Sequence, residues 1–438
     1  MTPITFAALS LVGVLLLISV RIPIGAVLGG MGVLGIAYVR GMDVALGMLK
    51  DTPFSFSAHW SLSAIPMFLL MGSIAHHSGI SAGLFRAARL WFSWMPGGLA
   101  VATNMACAAF AAASGSSVAT AAAMGRIAIP EMLKHGYDKA LATGVVASAG
   151  TLGSLIPPSI LFVLYGVFSE TSIVKLLIAG VLPGLLTAAV YTAMVVGRCM
   201  LNPDLAPRLD AEELKSMRVE RWRSLRAVGP LIVLIVAIIG GLYGGIFTPT
   251  EAGAIGALLS VIIAAAQGRM SLRILGDSLV EAIGATARIF FVAIGAVIYT
   301  KFLALTGMSH FLTAMIGSWA LDPVMLILMT SVIYIVFGMF LDPLGVLLLT
   351  LPVLLPMFEK IGVDSIWLGV LIVKYLEIGL LTPPVGFNVY VIKSVVGDLI
   401  PLETIFRGVG WFLAAEVLIV GLIIAFPEIA TWLPATMD

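Results

Sequence analysis

The sequence predicts an all-α protein that crosses a membrane many times and is built from two inverted repeats. Hydrophobic residues occupy 60% of the 438 positions and charged residues only 11%, against about 25% charged residues in soluble domains. Apolar runs of about 20 residues, long enough to cross the hydrocarbon core of a bilayer, recur from end to end. The interruptions of these runs follow the same order in both halves, which indicates an internal duplication.

The first half, residues 1–200, contains a predicted hairpin and a predicted broken helix. Its N-terminal run has no basic start and no cleavage motif, so we interpret it as a transmembrane helix rather than a signal peptide. An apolar block at 91–130 breaks at "ASGSSVAT", which predicts a helical hairpin, and a stretch at 140–167 breaks at "GTLGSLIPPS". Continuous helices are predicted at 4–20, 23–39, 55–77 and 172–198.

A polar segment at 201–226 separates the halves, and residues 227–438 repeat the plan. The segment holds six Lys or Arg and five Asp or Glu, too many to span a membrane, and is predicted to be a partly helical cytoplasmic connector. A block at 311–357 breaks at "FGMFLDPLG", and a stretch at 366–393 breaks at "EIGLLTPPVGFNVY". Continuous helices are predicted at 227–246, 249–267, 278–302 and 405–426.

The two halves match at an offset of 226 residues, which places Pro157–Pro158 on Pro383–Pro384 and Gly153 on Gly379. If both blocks are re-entrant hairpins, each half crosses the membrane five times, and the odd number inverts the second half. The excess of Lys and Arg around the connector predicts that this side is cytoplasmic and both termini are outside. The same offset also pairs Pro23 with Pro249, Pro130 with Pro356, Gly136 with Gly362 and Asp138 with Asp364.

The two Pro-Pro breaks predict cation sites. Proline removes an N–H and obstructs the preceding helical turn, and carbonyls freed in this way persist at membrane depth only where they are buried or line a cavity. Unwound carbonyls of this kind suit a sodium ion; the alternative is a proline kink without an ion. The predicted carbonyl ligands belong to Ile156, Pro158, Thr382 and Pro384, with Gly153 and Gly379 allowing close approach and with the tips Ser114–Ser117 and Gly338–Pro343 completing the two cages.

Four polar residues near the second break have more than one interpretation. Asp342 is a predicted ion ligand because a carboxylate at the bilayer centre costs at least about 2.5 kcal/mol unless it is paired or solvated. The alternatives for Asp342 are a partner for Lys374 or a backbone cap. Glu377 lies three residues after Lys374, and we interpret the two as a structural pair on one helix face. Asn388 either contacts the substrate or holds the break.

Other residues give no sign of catalytic chemistry. Cys107 and Cys199 lie in apolar segments and are interpreted as packing residues, and His76 and His77 as interfacial residues. Glu251 in "TPTEAG" has a sufficient explanation as an acid in the first turn of a threonine-capped helix. The absence of a Walker loop, nucleophile elbow, zincin motif or basic patch predicts neither an enzyme nor a nucleic-acid partner.

Five segments together resemble the large membrane subunit of tripartite ATP-independent periplasmic (TRAP) transporters, and the likeness extends over essentially the whole chain. The family belongs to the ion-transporter superfamily, so the resemblance implies inverted repeats with re-entrant hairpins and an elevator-type motion. The segments are "SGSSVATAAAMG", "GTLGSLIPPSI", "TPTEAGAIGA", "FLDPLGVLLLTLPVLLPM" and "EIGLLTPPVGFNVYV".

The resemblance also implies a function. It implies sodium-coupled uptake of an organic acid, such as a C4-dicarboxylate or sialic acid, across the bacterial cytoplasmic (inner) membrane. The implied partners are a small four-helix membrane subunit, a periplasmic binding protein and membrane lipid. One alternative is a stand-alone sodium/dicarboxylate symporter of the same superfamily, and a channel or passive scaffold is another.

Residues that match the family's motifs define two implied sodium sites. Substrate contacts are predicted as well, at Ser117, Ser159 and Asn388. The first implied sodium site comprises Ser114, Ser116, Gly153, Ile156 and Pro158, and the second comprises Gly338, Asp342, Gly379, Thr382 and Pro384.

Overall fold

The computed structural model is helical throughout the part of the chain that it describes. Residues 208–210 of the predicted connector and most of 311–322, at the start of the predicted second hairpin, lie outside the described residues. The structure describes residues 2–207, 211–308, 311, 314 and 323–437, without the side chains of 211–219, 223 and 225–227.

The helices follow the apolar runs of the sequence, and short 3₁₀ turns join some of them. In the first half the α-helices are α1 Pro3–Ser19, α2 Ile24–Arg40, α3 Met42–Ser57, α4 Ala64–His77, α5 Ile80–Phe92, α6 Gly98–Ser114, α7 Ser117–Lys134, α8 Lys139–Gly150, α9 Leu152–Leu155, α10 Ile160–Phe168, α11 Ile173–Ala179 and α12 Val181–Leu201. In the second half they are α13 Ala211–Tyr243, α14 Pro249–Ala266, α15 Leu272–Thr306, α16 Pro323–Gly338, α17 Pro343–Lys360, α18 Ser365–Gly379, α19 Phe387–Val396, α20 Leu402–Ala425 and α21 Glu428–Ala435.

Several of these helices are long and apolar enough to cross a membrane. Five described spans meet this condition by themselves, and two bent pairs of helices raise the number to seven. One pair joins Met42–Ser57 to Trp60–His77 with a bend of 59°, and the other joins Lys139–Leu155 to Ile160–Phe168 with a bend of 42°. The chain is therefore a multi-pass membrane protein.

Helix bounds recur at the offset found in the sequence. Moving α7 by 226 residues gives the bounds of α17, and moving the start of α8 by the same distance gives the start of α18. The residues before these helices correspond as well. Ser116 caps α7 and Asp342 caps α17, while Asp138 and Asp364 cap α8 and α18.

The structure contains three helices that the sequence analysis did not predict, α3, α5 and α21, and the predicted helix at 55–77 begins only at Ala64. Helices α3 and α5 carry charged residues, Lys50 and Asp51 in α3 and Arg86 in α5. These charged residues lower the mean hydropathy of α3 and α5, so neither helix stands out as an apolar run. The predicted boundary at residue 226 lies inside α13, because Glu, Leu, Lys, Met and Arg favour helix and nothing interrupts them.

A predicted helix start is confirmed at the beginning of α14. Thr248 Oγ1 accepts a hydrogen bond from the backbone N–H of Glu251 at 3.3 Å, and Glu251 Oε2 accepts one from the N–H of Thr248 at 2.8 Å. This is a capping box, in which two backbone donors at the helix start are satisfied reciprocally.

An ion pair buried inside the protein joins three helices. Lys374 Nζ on α18 lies 2.7 Å from Glu416 Oε1 on α20 and 3.1 Å from Thr187 Oγ1 on α12, and Tyr191 on α12 also donates to Glu416. Both charged side chains are only 1% exposed. The predicted pair of Lys374 with Glu377 is therefore wrong, because these two side chains face different neighbouring helices.

We expect Lys374→Met to lower the free energy of unfolding by about 3–5 kcal/mol, because it leaves the Glu416 carboxylate buried without its cation. The double variant Lys374→Met/Glu416→Leu removes both charges and should recover most of this loss. Thermal unfolding of the purified chain measures both effects. Equal destabilisation of the single and double variants would contradict this account of the pair.

Candidate cation and substrate site

The two helix breaks interrupt the hydrogen bonding of the backbone. Residues 156–158 of the first break are buried, whereas Thr382 of the second is half-buried and Pro383 and Pro384 are exposed. The first break separates α9 from α10, and the second separates α18 from α19. Both Pro-Pro peptide bonds, Pro157–Pro158 and Pro383–Pro384, are cis. Within the described residues, no N–H or hydroxyl donates to the carbonyl oxygens predicted as ion ligands, those of Ile156, Pro158, Thr382 and Pro384.

A hairpin tip lies against each break. In the first half, a Cβ atom added at Gly153 would lie 2.5 Å from the carbonyl oxygen of Ser116. In the second half, a Cβ atom added at Gly379 would lie 2.7 Å from Cα of Gly338. Only glycine permits such close approach of two backbones. The structure thus brings residues of both predicted tips onto the segments with which they were paired.

Hydroxyl and carboxylate groups of the tips and breaks already make hydrogen bonds that leave lone pairs available. Ser114 Oγ lies 2.6 Å from Thr120 Oγ1, and Thr382 Oγ1 donates to the Ile378 carbonyl at 2.7 Å. Asp342 Oδ2 accepts from the N–H of Leu344 at 3.2 Å, so the carboxylate acts as a backbone cap.

Two adjoining cavities reach the hairpin tips. The first, of about 450 Å³, runs from His76, His77 and Arg126 to Ser114 and Ser116. The second, of about 510 Å³, extends to the second tip at Asp342 and to the helix start at Phe387. These volumes are those of small-molecule sites. The two cavities share Leu69, Ser116, Val118, Ala285 and Arg288.

Arg288 is a functional candidate that the sequence analysis missed. It lies on α15, lines both cavities, and has no hydrogen bond or ion pair with the residues that the structure describes. An arginine within an apolar span is a functional hypothesis by default, and this signal was present in "ATARIFFVAIG". Glu281, about two helical turns earlier, also lines the first cavity and accepts a hydrogen bond from Ser73.

The predicted substrate contacts fall in different surroundings. Ser117 lines the second cavity. Ser159 caps α10, and its hydroxyl bonds to the carbonyl of Ser154, whereas Asn388 Nδ2 lies 3.3 Å from the Ala147 carbonyl oxygen. Ser159 and Asn388 are buried and line neither of the two cavities described above. Their role as substrate contacts stays a prediction.

The groups gathered at the two breaks are of the kind that bind hard cations. The groups gathered at each break are carbonyl, hydroxyl and carboxylate oxygens, the ligands that coupling ions find at broken transmembrane helices. Within the described residues, no group of three or more His, Cys, Asp or Glu side chains has the arrangement of a metal site. The residues therefore fit sodium and do not resemble a site for a transition metal.

Comparisons with known proteins agree with this construction. The family described as "Tripartite ATP-independent periplasmic transporter, DctM component" matches residues 11–429. The C4-dicarboxylate TRAP transporter large permease protein DctM of Pseudomonas aeruginosa is 37% identical over 387 residues, which cover 87% of this chain and 86% of that protein. The sialic acid TRAP transporter large permease protein SiaM of Vibrio cholerae is 30% identical over 426 residues, 94% of this chain and 98% of that one.

A solved structure shares the fold. The crystal structure of the Alcanivorax borkumensis YdaH transporter superposes with a TM-score of 0.62 at 14% identity, covering 88% of this chain and 90% of that one. The fold, the paired breaks and the relatives define a membrane transport protein and not an enzyme. The chain belongs to the family of large permease subunits of TRAP transporters.

We expect Gly153→Ala to lower the free energy of unfolding by about 1–3 kcal/mol, because its methyl group would overlap the backbone of the first tip. Gly197→Ala is the matched control, since a Cβ atom there would meet nothing within 4 Å. That control should be neutral, or stabilising by up to about 1 kcal/mol through helix propensity. Thermal unfolding measures the stability of both variants, and equal effects would show that the tip and the break are not in close contact.

Proposed function

We propose that the chain is the permease subunit of a TRAP transporter that takes up an organic acid with sodium ions. The observation that carries this proposal is the set of four carbonyls at the two breaks that no described donor reaches. Unsatisfied carbonyls in a membrane interior cost several kcal/mol each. A bound cation would remove this cost, so ion binding and the order of the breaks would be linked.

The first proposed sodium site lies between the first tip and the first break. Support comes from the close approach of the Ser116 carbonyl to Gly153 and from the free carbonyls of Ile156 and Pro158. Ser114 would add its hydroxyl oxygen, which points towards Thr120 at the tip.

The second proposed sodium site lies between the second tip and the second break. Gly338 meets Gly379 there, and Thr382 and Pro384 offer carbonyls that accept no hydrogen bond from the described residues. Because the Thr382 hydroxyl already donates its hydrogen to a carbonyl, its lone pairs are the groups left to face a cation. Asp342 would supply the one carboxylate, and its charge would compensate part of the charge of the ion.

The proposed substrate is a carboxylate held between the tips and α15. The names of the two relatives specify C4-dicarboxylate and sialic acid, which are both carboxylates. Arg288 presents to both cavities a guanidinium that has no partner among the described residues, and guanidinium binds carboxylate in a bidentate manner. Ser117 lines the second cavity beside it and offers a hydroxyl. Sodium ions bound at the adjoining sites would add to this attraction.

We further propose an elevator-type motion of inverted repeats within the bacterial inner membrane. The recurrence of helix bounds at 226 residues supports the duplication, and paired interrupted helices in corresponding positions are typical of inverted-repeat transporters. The proposed partners are a small membrane subunit and a periplasmic binding protein, as membership of a tripartite family suggests.

The proposal is tested by uptake of radioactive C4-dicarboxylate or sialic acid into proteoliposomes that contain the chain and its small subunit. Accumulation should require an inward sodium gradient and the binding protein, and potassium should not replace sodium. Sodium-driven accumulation without a binding protein would favour a stand-alone symporter. Flux indifferent to sodium would overturn the sodium sites.

Removing a ligand of the second sodium site should weaken the response to sodium. We expect Asp342→Ala and Thr382→Ala each to raise the sodium concentration for half-maximal uptake by about tenfold or more, which corresponds to about 1.4 kcal/mol. Thr382→Ser keeps the hydroxyl and should retain most of the affinity. Unchanged sodium dependence in both alanine variants would refute the assignment.

Removing the arginine of the cavity should weaken substrate binding. A lost charge-assisted hydrogen bond is worth about 1.5–3 kcal/mol, so we expect Arg288→Gln to raise the apparent KM for the acid by about 10–100-fold. Arg288→Lys should be intermediate, because lysine keeps the charge without the bidentate geometry. Arg273→Gln, on the exposed start of the same helix, is the control and should leave KM unchanged. A KM that is equally insensitive to Arg288→Gln would exclude this role.

A further inference from the structure

Glu377 connects the segments that carry the two proposed sodium sites. It lies on α18, two residues before Gly379, and its carboxylate oxygens are 2.7 and 2.8 Å from the hydroxyl of Ser117. Ser117 begins α7 at the tip of the first hairpin, and its hydroxyl is 2.6 Å from that of Ser154. Ser154 follows Gly153 directly. One carboxylate of the second half is therefore bonded to the tip and close to the break of the first.

Glu377 forms no direct ion pair within the described residues. Its side chain is buried, with 1% exposure. The nearest basic residue on the same helix, Lys374, is bound to Glu416 at 2.7 Å. An uncompensated charge in such surroundings is costly, and a cation bound close to it would lower that cost.

Glu377 would act on ions and substrate only indirectly, through other residues. It lines neither of the two cavities described above, whereas Ser117 and Ser154 line the second. The distances of 2.6–2.8 Å between these oxygens are those of direct hydrogen bonds. Glu377 is therefore in the place of a positioning residue.

We propose that Glu377 couples the two sodium sites, an inference that rests on the proposed function. Its negative charge favours a cation at either site. Its hydrogen bond with Ser117 connects the two sites. An ion that orders the first tip also orders Ser117, and Ser117 then restrains Glu377 and the end of α18 next to Gly379. The second ion then meets a site that has already been ordered, and this produces positive cooperativity.

The inference is tested by equilibrium binding of radioactive sodium to the purified full-length chain, measured by scintillation proximity without substrate. Potassium replaces sodium to keep the ionic strength constant. The unaltered chain should bind sodium with a Hill coefficient of about 2, as expected for two strongly coupled sites. This readout does not depend on substrate binding or on partner proteins.

Two variants separate the charge of Glu377 from its hydrogen bond. Glu377→Gln removes the charge but keeps an oxygen that accepts from Ser117, so the sodium affinity should fall about tenfold while cooperativity persists. Ser117→Ala keeps the charge but removes the bond, so the Hill coefficient should fall to about 1. Glu403→Gln, at an exposed position of α20, is the matched control and should behave as the unaltered chain.

Each outcome is decisive for one of the two proposals. If the unaltered chain binds no sodium, the proposed function fails and the coupling fails with it. If it binds sodium without cooperativity, or if both variants bind as the unaltered chain does, only the coupling is overturned. Gel filtration identifies a variant that does not fold. Ser117→Ala then decides the question by its Hill coefficient, which general damage to the fold would not lower selectively.

Discussion

The need to satisfy backbone carbonyls inside a membrane is the constraint on which the rest of this structure depends. At the two Pro-Pro breaks, four carbonyls accept no hydrogen bond from the described residues. The surrounding features respond to this exception. Glycines bring the hairpin tips against the breaks, and hydroxyl and carboxylate oxygens gather there. In the proposed function, a permease subunit built in this way would link the stability of its own interior to the binding of an ion.

The buried ion pair holds α18, the helix that leads into the second break, against its neighbours. Lys374 and Glu416 tie α18 to α20, and Thr187 and Tyr191 tie both to α12. A buried pair of this kind contributes little net stability, because desolvation offsets the attraction of the charges. It does penalise any arrangement that separates its members. Helix α18 can therefore end at Gly379 and still keep its packing against α12 and α20.

The sequence predicted those parts of the fold that local chemistry determines. Pro-Pro pairs, glycine-rich tips and a threonine followed by an early acid specify breaks, hairpins and a helix start by their own conformational preferences, and the capping of α14 follows as expected. The sequence analysis missed helices α3 and α5 because it searched for apolar runs, and the charged residues of these helices interrupt such runs.

Contacts between distant segments could not be predicted in the same way. The spacing of Lys374 and Glu377 permits a pair on one helix face, but the choice of Glu416 depends on how α18 packs against α20. The position of Arg288 on two cavity walls likewise depends on the assembled fold. Its charge within an apolar run was the visible sign. The duplication also conceals an asymmetry: at the shared offset Asp342 corresponds to Ser116, and Glu377 to Thr151. Both carboxylates belong to the second half, so two proposed sites of common origin would differ in charge and therefore in their affinity for a cation.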